Sequence, residues 1–194
     1  MITELTRGFE TLLSATGLLY LALTLAILVA AAAGFRWIFK SYVRFRGTRI
    51  VKCPENCATV AVEVDAPHAA FTGLGGKPEL RLQECTRWPE KAGCGQMCLS
   101  QIEDSPEGCL LKNILTVWYE GKSCVFCGLA LGEINWLEHK PALRSPEGKT
   151  MLWTEFPPET IYDVLETHQP VCWNCHIAEQ FRAEHPELVI DHRR

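Results

Sequence analysis

The chain has 194 residues, ten of them cysteines, and a formal net charge of −4 at pH 7. This length fits one ordinary domain with an additional segment. The charge is uneven, because seven of the 19 basic residues but only two of the 23 acidic residues precede Cys53. The acidic remainder argues against nucleic acid as a partner. The basic first part favours an anionic surface.

The N-terminal third contains a long apolar run, TLLSATGLLYLALTLAILVAAAAGF, at residues 11–35, with no charged side chain. A helix needs about 20 apolar residues to cross a hydrocarbon core of about 30 Å. The small residues at 30–33 would also suit a signal-peptidase site. However, the tail at 1–10 lacks a basic cluster, and the run exceeds the core of about 7–15 residues that secretory signals have. The sequence therefore predicts a retained, single transmembrane helix.

A basic and aromatic stem follows at residues 36–52. It contains no acidic residue and six cations: Arg36, Lys40, Arg44, Arg46, Arg49 and Lys52. Four aromatic residues lie among them: Trp37, Phe39, Tyr42 and Phe45. Short basic flanks stay in the cytoplasm, and aromatic rings settle at the headgroups. The stem thus predicts a single-pass protein of the cell inner membrane, bound to the anionic inner leaflet, with a cytoplasmic C-terminal domain.

The rest of the chain is predicted to be α+β, with a cysteine-rich subdomain at 53–120 and a zinc-ribbon-like subdomain at 121–194. Valines that alternate over 60–64 predict a strand. Residues 66–80 are rich in Gly and Pro and predict a surface loop. Cysteines spaced by four at 94 and 98 predict a short helix that ends near DSPEG.

Downstream of residue 120 the predicted elements are short. A second short element is expected at 109–119, and strands at about 142 and 150–156 flank a turn at 144–149. A short helix is predicted to begin at residues 157 and 158, which are both prolines, because the N–H that proline lacks has no partner in the first turn of a helix. A longer helix follows residue 175.

Two Cys-x-x-Cys pairs stand in the second subdomain, Cys124 with Cys127 and Cys172 with Cys175. Four thiolates complete the shell of a structural Zn²⁺. Gly128 allows the positive φ that such a turn needs. The order of turn, hairpin and Cys-x-x-Cys at a helix start resembles treble-clef and zinc-ribbon domains over residues 121–190. This resemblance implies a Cys₄ zinc site.

The second pair also permits a different interpretation, since Cys172-x-x-Cys175-His176 has the pattern of a c-type haem attachment site. Haem attachment and stable disulfides belong outside the bacterial cytoplasm, so the predicted topology favours zinc. Electron transfer by a haem here, or by an iron–sulfur cluster, is the alternative function.

The other six cysteines are spaced more loosely. Five of them could supply a second metal site: Cys53 or Cys57 together with Cys85, Cys94 and Cys98. The alternative is that they are buried structural thiols, because a free cysteine packs like a small apolar residue. Cys109 is then expected in the core.

No nucleophile–base pair or phosphate-binding motif stands out, which argues against an enzyme, although a redox dithiol of Cys124 and Cys127 is an open alternative. The sequence favours a membrane-anchored, zinc-binding structural or recruitment protein, such as an accessory subunit of a membrane redox complex. Its protein partner would meet the acidic domain and the aromatic side chains of Phe126 and Trp173.

Overall fold

The computed structural model describes residues 15–88, 90–91, 93–132, 134–136 and 138–188. The predicted tail at 1–10 and the first residues of the predicted helix, 11–14, lie outside the described residues. Among the described residues, the chain forms two compact units, one from residues up to 46 and 65–80 and the other from 47–64 and from 81 onward. The division after residues 52 and 120 stays a prediction.

The first unit is built on helix α1, Ala15–Phe45. This helix is long and apolar enough to cross a membrane. Its leucine and valine side chains and Ile27 are exposed, as are Phe35 and Phe39. A helix that is apolar all round needs a surrounding of apolar groups. The helix also continues through the first ten residues of the predicted stem.

Residues 66–80 are not a loop throughout, as the sequence predicted, because helix α2, Ala66–Thr72, and a 3₁₀ turn, Gly73–Gly75, lie within them. Asp65 caps α2 by accepting a hydrogen bond from the N–H of His68 (3.0 Å). Ala69 and Ala70 are buried. The prolines and glycines that suggested a loop lie in the first turn and after the helix, where they do not interrupt it.

The second unit begins with an antiparallel sheet of β1, Thr48–Lys52, β2, Thr59–Val64, and β3, Leu82–Cys85, in that order. The strand predicted at 60–64 is confirmed as β2. The predicted stem, in contrast, supplies β1. Its residue Arg49 is fully buried and donates a hydrogen bond to the carbonyl of Gly47 (3.0 Å), so Arg49 cannot face lipid headgroups.

A second antiparallel sheet has the strand order Thr150–Leu152 (β5), Ala142–Arg144 (β4) and Gln169–Val171 (β6). The other elements of this unit are short, and their bounds are α3, Leu99–Asp104; α4, Leu111–Tyr119; α5, Ile161–Thr167; and α6, Trp173–Glu184. Turns of 3₁₀ helix lie at Trp153–Glu155, Pro158–Thr160 and Pro186–Leu188. The chain is thus α+β, as predicted.

One apolar core joins the two sheets. It contains Ile50 and Ala61 from the first sheet, Leu143 from the second, and residues of α4 and α5. Tyr119 is fully buried there and donates its hydroxyl hydrogen to the carbonyl of Ala142 (2.9 Å). A smaller core of Cys124, Ala142, Val171 and Cys172 adjoins it. The second sheet therefore fixes the position of the cysteines.

Candidate metal centre

Cys124 begins a tight turn, which we call the Cys124 turn (residues 124–129). The N–H of Cys124 donates to the carbonyl of Leu129 (2.8 Å), and the N–H of Gly128 donates to the carbonyl of Cys124 (2.9 Å). Gly128 has a φ of +70°, a conformation that glycine adopts without steric cost. This turn sets Cys127 beside Cys124 rather than away from it.

Cys172 and Cys175 lie where β6 ends and α6 begins. Cys172 is the last residue before α6, and Cys175 lies in its first turn. The N–H of Val125 donates to the carbonyl of Pro170 (3.0 Å), so the Cys124 turn is tied to β6. The positive end of the helix dipole favours negative charge at these two thiols.

The four thiols converge. The Sγ atoms of Cys124, Cys127, Cys172 and Cys175 all lie within 4.8 Å of one another. Those of Cys127 and Cys172 are 3.7 Å apart. Cys124 and Cys172 are buried, Cys175 is half-buried and Cys127 is exposed. Among the described residues no other group of three or more possible metal ligands lies so close together.

The separation of the thiols fits a single ion. A tetrahedral ion with bonds of about 2.3 Å to sulfur places its ligand atoms roughly 3.8 Å apart. The distance between Cys127 and Cys172 corresponds to one edge of such a tetrahedron. A cluster of several irons and sulfides would have to push the four thiols further apart. The donor set suits a soft or borderline ion such as Zn²⁺.

The electrostatics of the site also suit a cation. Burial raises the pKa of the Cys124 thiol, but the backbone N–H groups of Cys172, Cys127 and Phe126 outweigh it and lower the pKa to about 6. Burial raises the pKa of Cys172 and Cys175, and hydrogen bonds with neighbouring thiols add to this in both. Only a positive ion can hold all four groups deprotonated side by side.

His176, the residue of the haem interpretation, is buried. Its Nδ1 atom shares a hydrogen bond with the hydroxyl of Thr150 (3.0 Å), and burial lowers its pKa. The side chain thus holds α6 against β5. Sequence reasoning could not find Thr150, because the pair joins residues 26 positions apart.

Two further histidines of this unit, His139 and His168, lie away from the thiols. His139 faces Glu138 at 4.0 Å. His168 contacts the hydroxyl of Thr167 (2.8 Å) and the ring of Phe156. Neither belongs to the group of four thiols.

The aromatic side chains beside the cysteines are only partly accessible. Phe126 is 40% exposed, and the guanidinium of Arg144 lies 5.2 Å from the centre of its ring. Trp173 is half-buried and contacts the ring of His176. Phe126 is therefore exposed, as expected, whereas a smaller part of Trp173 faces outward than the sequence suggested.

No family model matches this sequence, and no curated protein or solved structure is similar enough to count as a match.

Proposed function

We propose that this is a membrane-anchored zinc protein in which one Zn²⁺, bound by Cys124, Cys127, Cys172 and Cys175, holds a cytoplasmic domain in a form that recruits a protein partner. The observation that carries the proposal is the convergence of the four Sγ atoms within 4.8 Å. Structural zinc sites take four protein ligands and leave no open position for a substrate. The ion would accordingly stabilise the domain, and the domain would bind a partner rather than catalyse a reaction.

The position of these cysteines explains what the ion would do. Forty-four residues separate Cys127 from Cys172 in the sequence, and the second sheet and α5 lie within this segment. These strands have only three residues each, which is short for independent stability. An ion that joins the Cys124 turn to α6 closes this segment into one unit. We expect the metal-free segment to lose much of its order.

The exposed apolar surface of α1 supports membrane anchoring, since large exposed apolar areas mark contact with a membrane or a partner. Arg36, Lys40 and Arg44 are exposed and recur every four residues, so they share one helix face. Cations there would contact anionic headgroups. A partner such as a membrane redox complex would then meet a domain held close to the bilayer.

Electron transfer is the alternative function, and two observations favour zinc over it. The four thiols lie too close together for a multi-iron cluster. His176, which a c-type haem would need as an iron ligand, is buried and hydrogen-bonded to Thr150. A haem at Cys172 and Cys175 would also have to separate them from Cys124 and Cys127.

The test is metal analysis of the full-length protein, purified in detergent without oxygen. We expect a colourless protein that contains zinc, and X-ray absorption that gives zinc–sulfur distances of about 2.3 Å. A brown protein with iron, or a sharp haem absorption band, would show that the chain transfers electrons instead.

A matched pair of variants tests whether these four cysteines bind the ion. Cys127→Ser changes the exposed member of the group and is expected to lose the ion from this site. Cys109→Ser is the control, because Cys109 lies outside the group of four thiols and its own thiol donates to the carbonyl of Gln101 at 3.6 Å. Equal zinc contents in the two variants would contradict the assignment.

A further inference from the structure

A second turn in the chain has the same backbone hydrogen bonds as the Cys124 turn. We call it the Cys53 turn (residues 53–58). The N–H of Cys53 donates to the carbonyl of Ala58 (2.9 Å), and the N–H of Cys57 donates to the carbonyl of Cys53 (2.8 Å). In both turns the first cysteine therefore bonds to the residues four and five positions later.

Both turns also contain a residue with a left-handed backbone (positive φ), four positions after the first cysteine. Gly128, four positions after Cys124, has a φ of +70°, and Cys57, four positions after Cys53, has a φ of +57°. By this alignment Cys53 corresponds to Cys124, whereas Cys57 occupies the position of the glycine. Asn56 stands where Cys127 stands, and its side-chain oxygen accepts from the N–H of Ala58 (3.1 Å).

Backbone N–H groups of the turn act on the Cys53 thiol as they act on the Cys124 thiol. The N–H groups of Glu55 and Asn56 lower its pKa, as does the guanidinium of Arg87. The N–H groups two and three positions later act on Cys124 in the same way. The turn therefore stabilises a thiolate at its first residue, independently of any partner.

Hydrogen bonds bring the segments of three further cysteines to this turn. The side chain of Gln101 donates to the carbonyl of Lys52 (2.7 Å) and accepts from its N–H (3.0 Å), so the start of α3 lies beside the start of the turn. Cys98 immediately precedes α3 and is buried.

The loop before Cys98 is fixed to the first sheet. The side-chain oxygen of Gln96 accepts from the N–H of Leu82, the first residue of β3 (2.9 Å). Gln96 has a φ of +52°, so the predicted helix does not include Cys94. It begins at Leu99, as α3, and ends near DSPEG as predicted. Cys85 is the last residue of β3 and pairs with Val62 of β2.

Three of these thiols lie near Cys98. Burial raises the pKa of Cys98 to about 11, and negative charge on Cys85, Cys94 and Cys53 adds to that effect. Cys57 is exposed. Cys98 thus lies within electrostatic range of the other three thiols, although among the described residues these four are less close together than those of the first centre.

We propose that Cys53, Cys85, Cys94 and Cys98 form a second four-thiolate site for a zinc-type cation, with Cys57 outside it. Binding draws the four thiols together. Four thiolates around a divalent ion carry two excess negative charges, and Arg87 is placed to offset them. Its guanidinium donates to the Sγ of Cys53 (3.0 Å) and to the carboxylate of Glu55 (2.8 Å).

This site is independent of the first, so the two can be tested separately. Zinc per chain is counted by native mass spectrometry of the full-length protein released from detergent micelles. We expect two ions in the wild type and one in Cys127→Ser. Cys53→Ser and Cys94→Ser should each retain one ion, bound at the first centre.

Cys57→Ser is the matched control, because its thiol lies in the same turn and is expected to leave both ions in place. Two half-buried cysteines are changed rather than the buried Cys98, and far-UV circular dichroism checks that each variant is folded. One ion in the wild type, two ions in Cys53→Ser, or equal loss in Cys53→Ser and Cys57→Ser would overturn the proposal.

Discussion

The backbone at residue 128 is left-handed, and this determines which side chains the Cys124 turn accepts. No atom lies within 4 Å of a Cβ added to Gly128, so the cost of substitution comes from the backbone alone. A β-branched residue in this conformation costs about 1–2 kcal/mol, whereas asparagine tolerates it better. We expect Gly128→Val to lower the free energy of unfolding by about that amount, and Gly128→Asn by clearly less. Urea denaturation of the zinc-loaded protein, followed by tryptophan fluorescence, measures both. Equal losses in the two variants would contradict a conformational cause.

The hydrogen bond between His176 and Thr150 is a second residue-scale determinant of the site. Thr150→Val keeps the shape of the side chain but leaves the buried imidazole without this partner, which costs about 1–3 kcal/mol. We expect thermal unfolding at a lower temperature in Thr150→Val. Thr154→Val is the control, because Thr154 lies four residues later in the sequence and its side chain is exposed. A Thr150→Val protein as stable as this control would show that the hydrogen bond contributes little.

At the scale of elements, α2 depends on a close contact with α1 in the first unit. A Cβ added to Gly73 would lie 2.5 Å from the ring of Trp37, whereas one added to Gly75 would meet no atom within 4 Å. We expect Gly73→Ala to displace the ring and loosen α2, and Gly75→Ala to have little effect. Hydrogen exchange of the amides in Ala66–Thr72 measures this. Unchanged exchange in Gly73→Ala would mean that the ring moves without loss of packing.

Some of these elements follow from local sequence patterns and others do not. Alternating valines predicted β2, and the two Cys-x-x-Cys pairs predicted which four thiols converge, because spacing and turn geometry are local. The helix α2 was missed because its cap, Asp65, precedes a stretch rich in Gly and Pro. The burial of Arg49 could not be predicted either, since the burial results from strand pairing across the chain rather than from neighbouring residues.

The relation between the two cysteine turns was also invisible in the sequence. The spacing C-x₃-C at Cys53 and Cys57 suggested two equivalent candidates for a ligand. Backbone hydrogen bonds and the sign of φ separate them, since Cys57 takes the place of a glycine. Spacing alone reports how far apart two residues are in the chain, not which of them faces the site.

At the scale of the whole molecule, the exposed cations at the C-terminal end of α1 and directly after it determine the expected orientation in a membrane. Arg36, Lys40, Arg44 and Arg46 are exposed, and cations within a few turns of a membrane-spanning segment are retained in the cytoplasm. Arg49 does not contribute, because it is buried. A reporter fused after residue 194 is therefore expected to be active in the cytoplasm and inactive outside it.

A charge variant tests the cause of that orientation. Glutamine at the four exposed positions keeps the length and polarity of the side chains but removes the charge difference across the apolar segment. We expect a mixture of orientations, seen as partial protection of the C-terminal reporter from protease added outside the cell. Lys52→Gln is the control, since Lys52 lies in β1 and belongs to the folded domain. An external reporter in the unmodified protein would contradict the proposed topology. It would also place all ten cysteines in an oxidising compartment, where disulfides would compete with zinc.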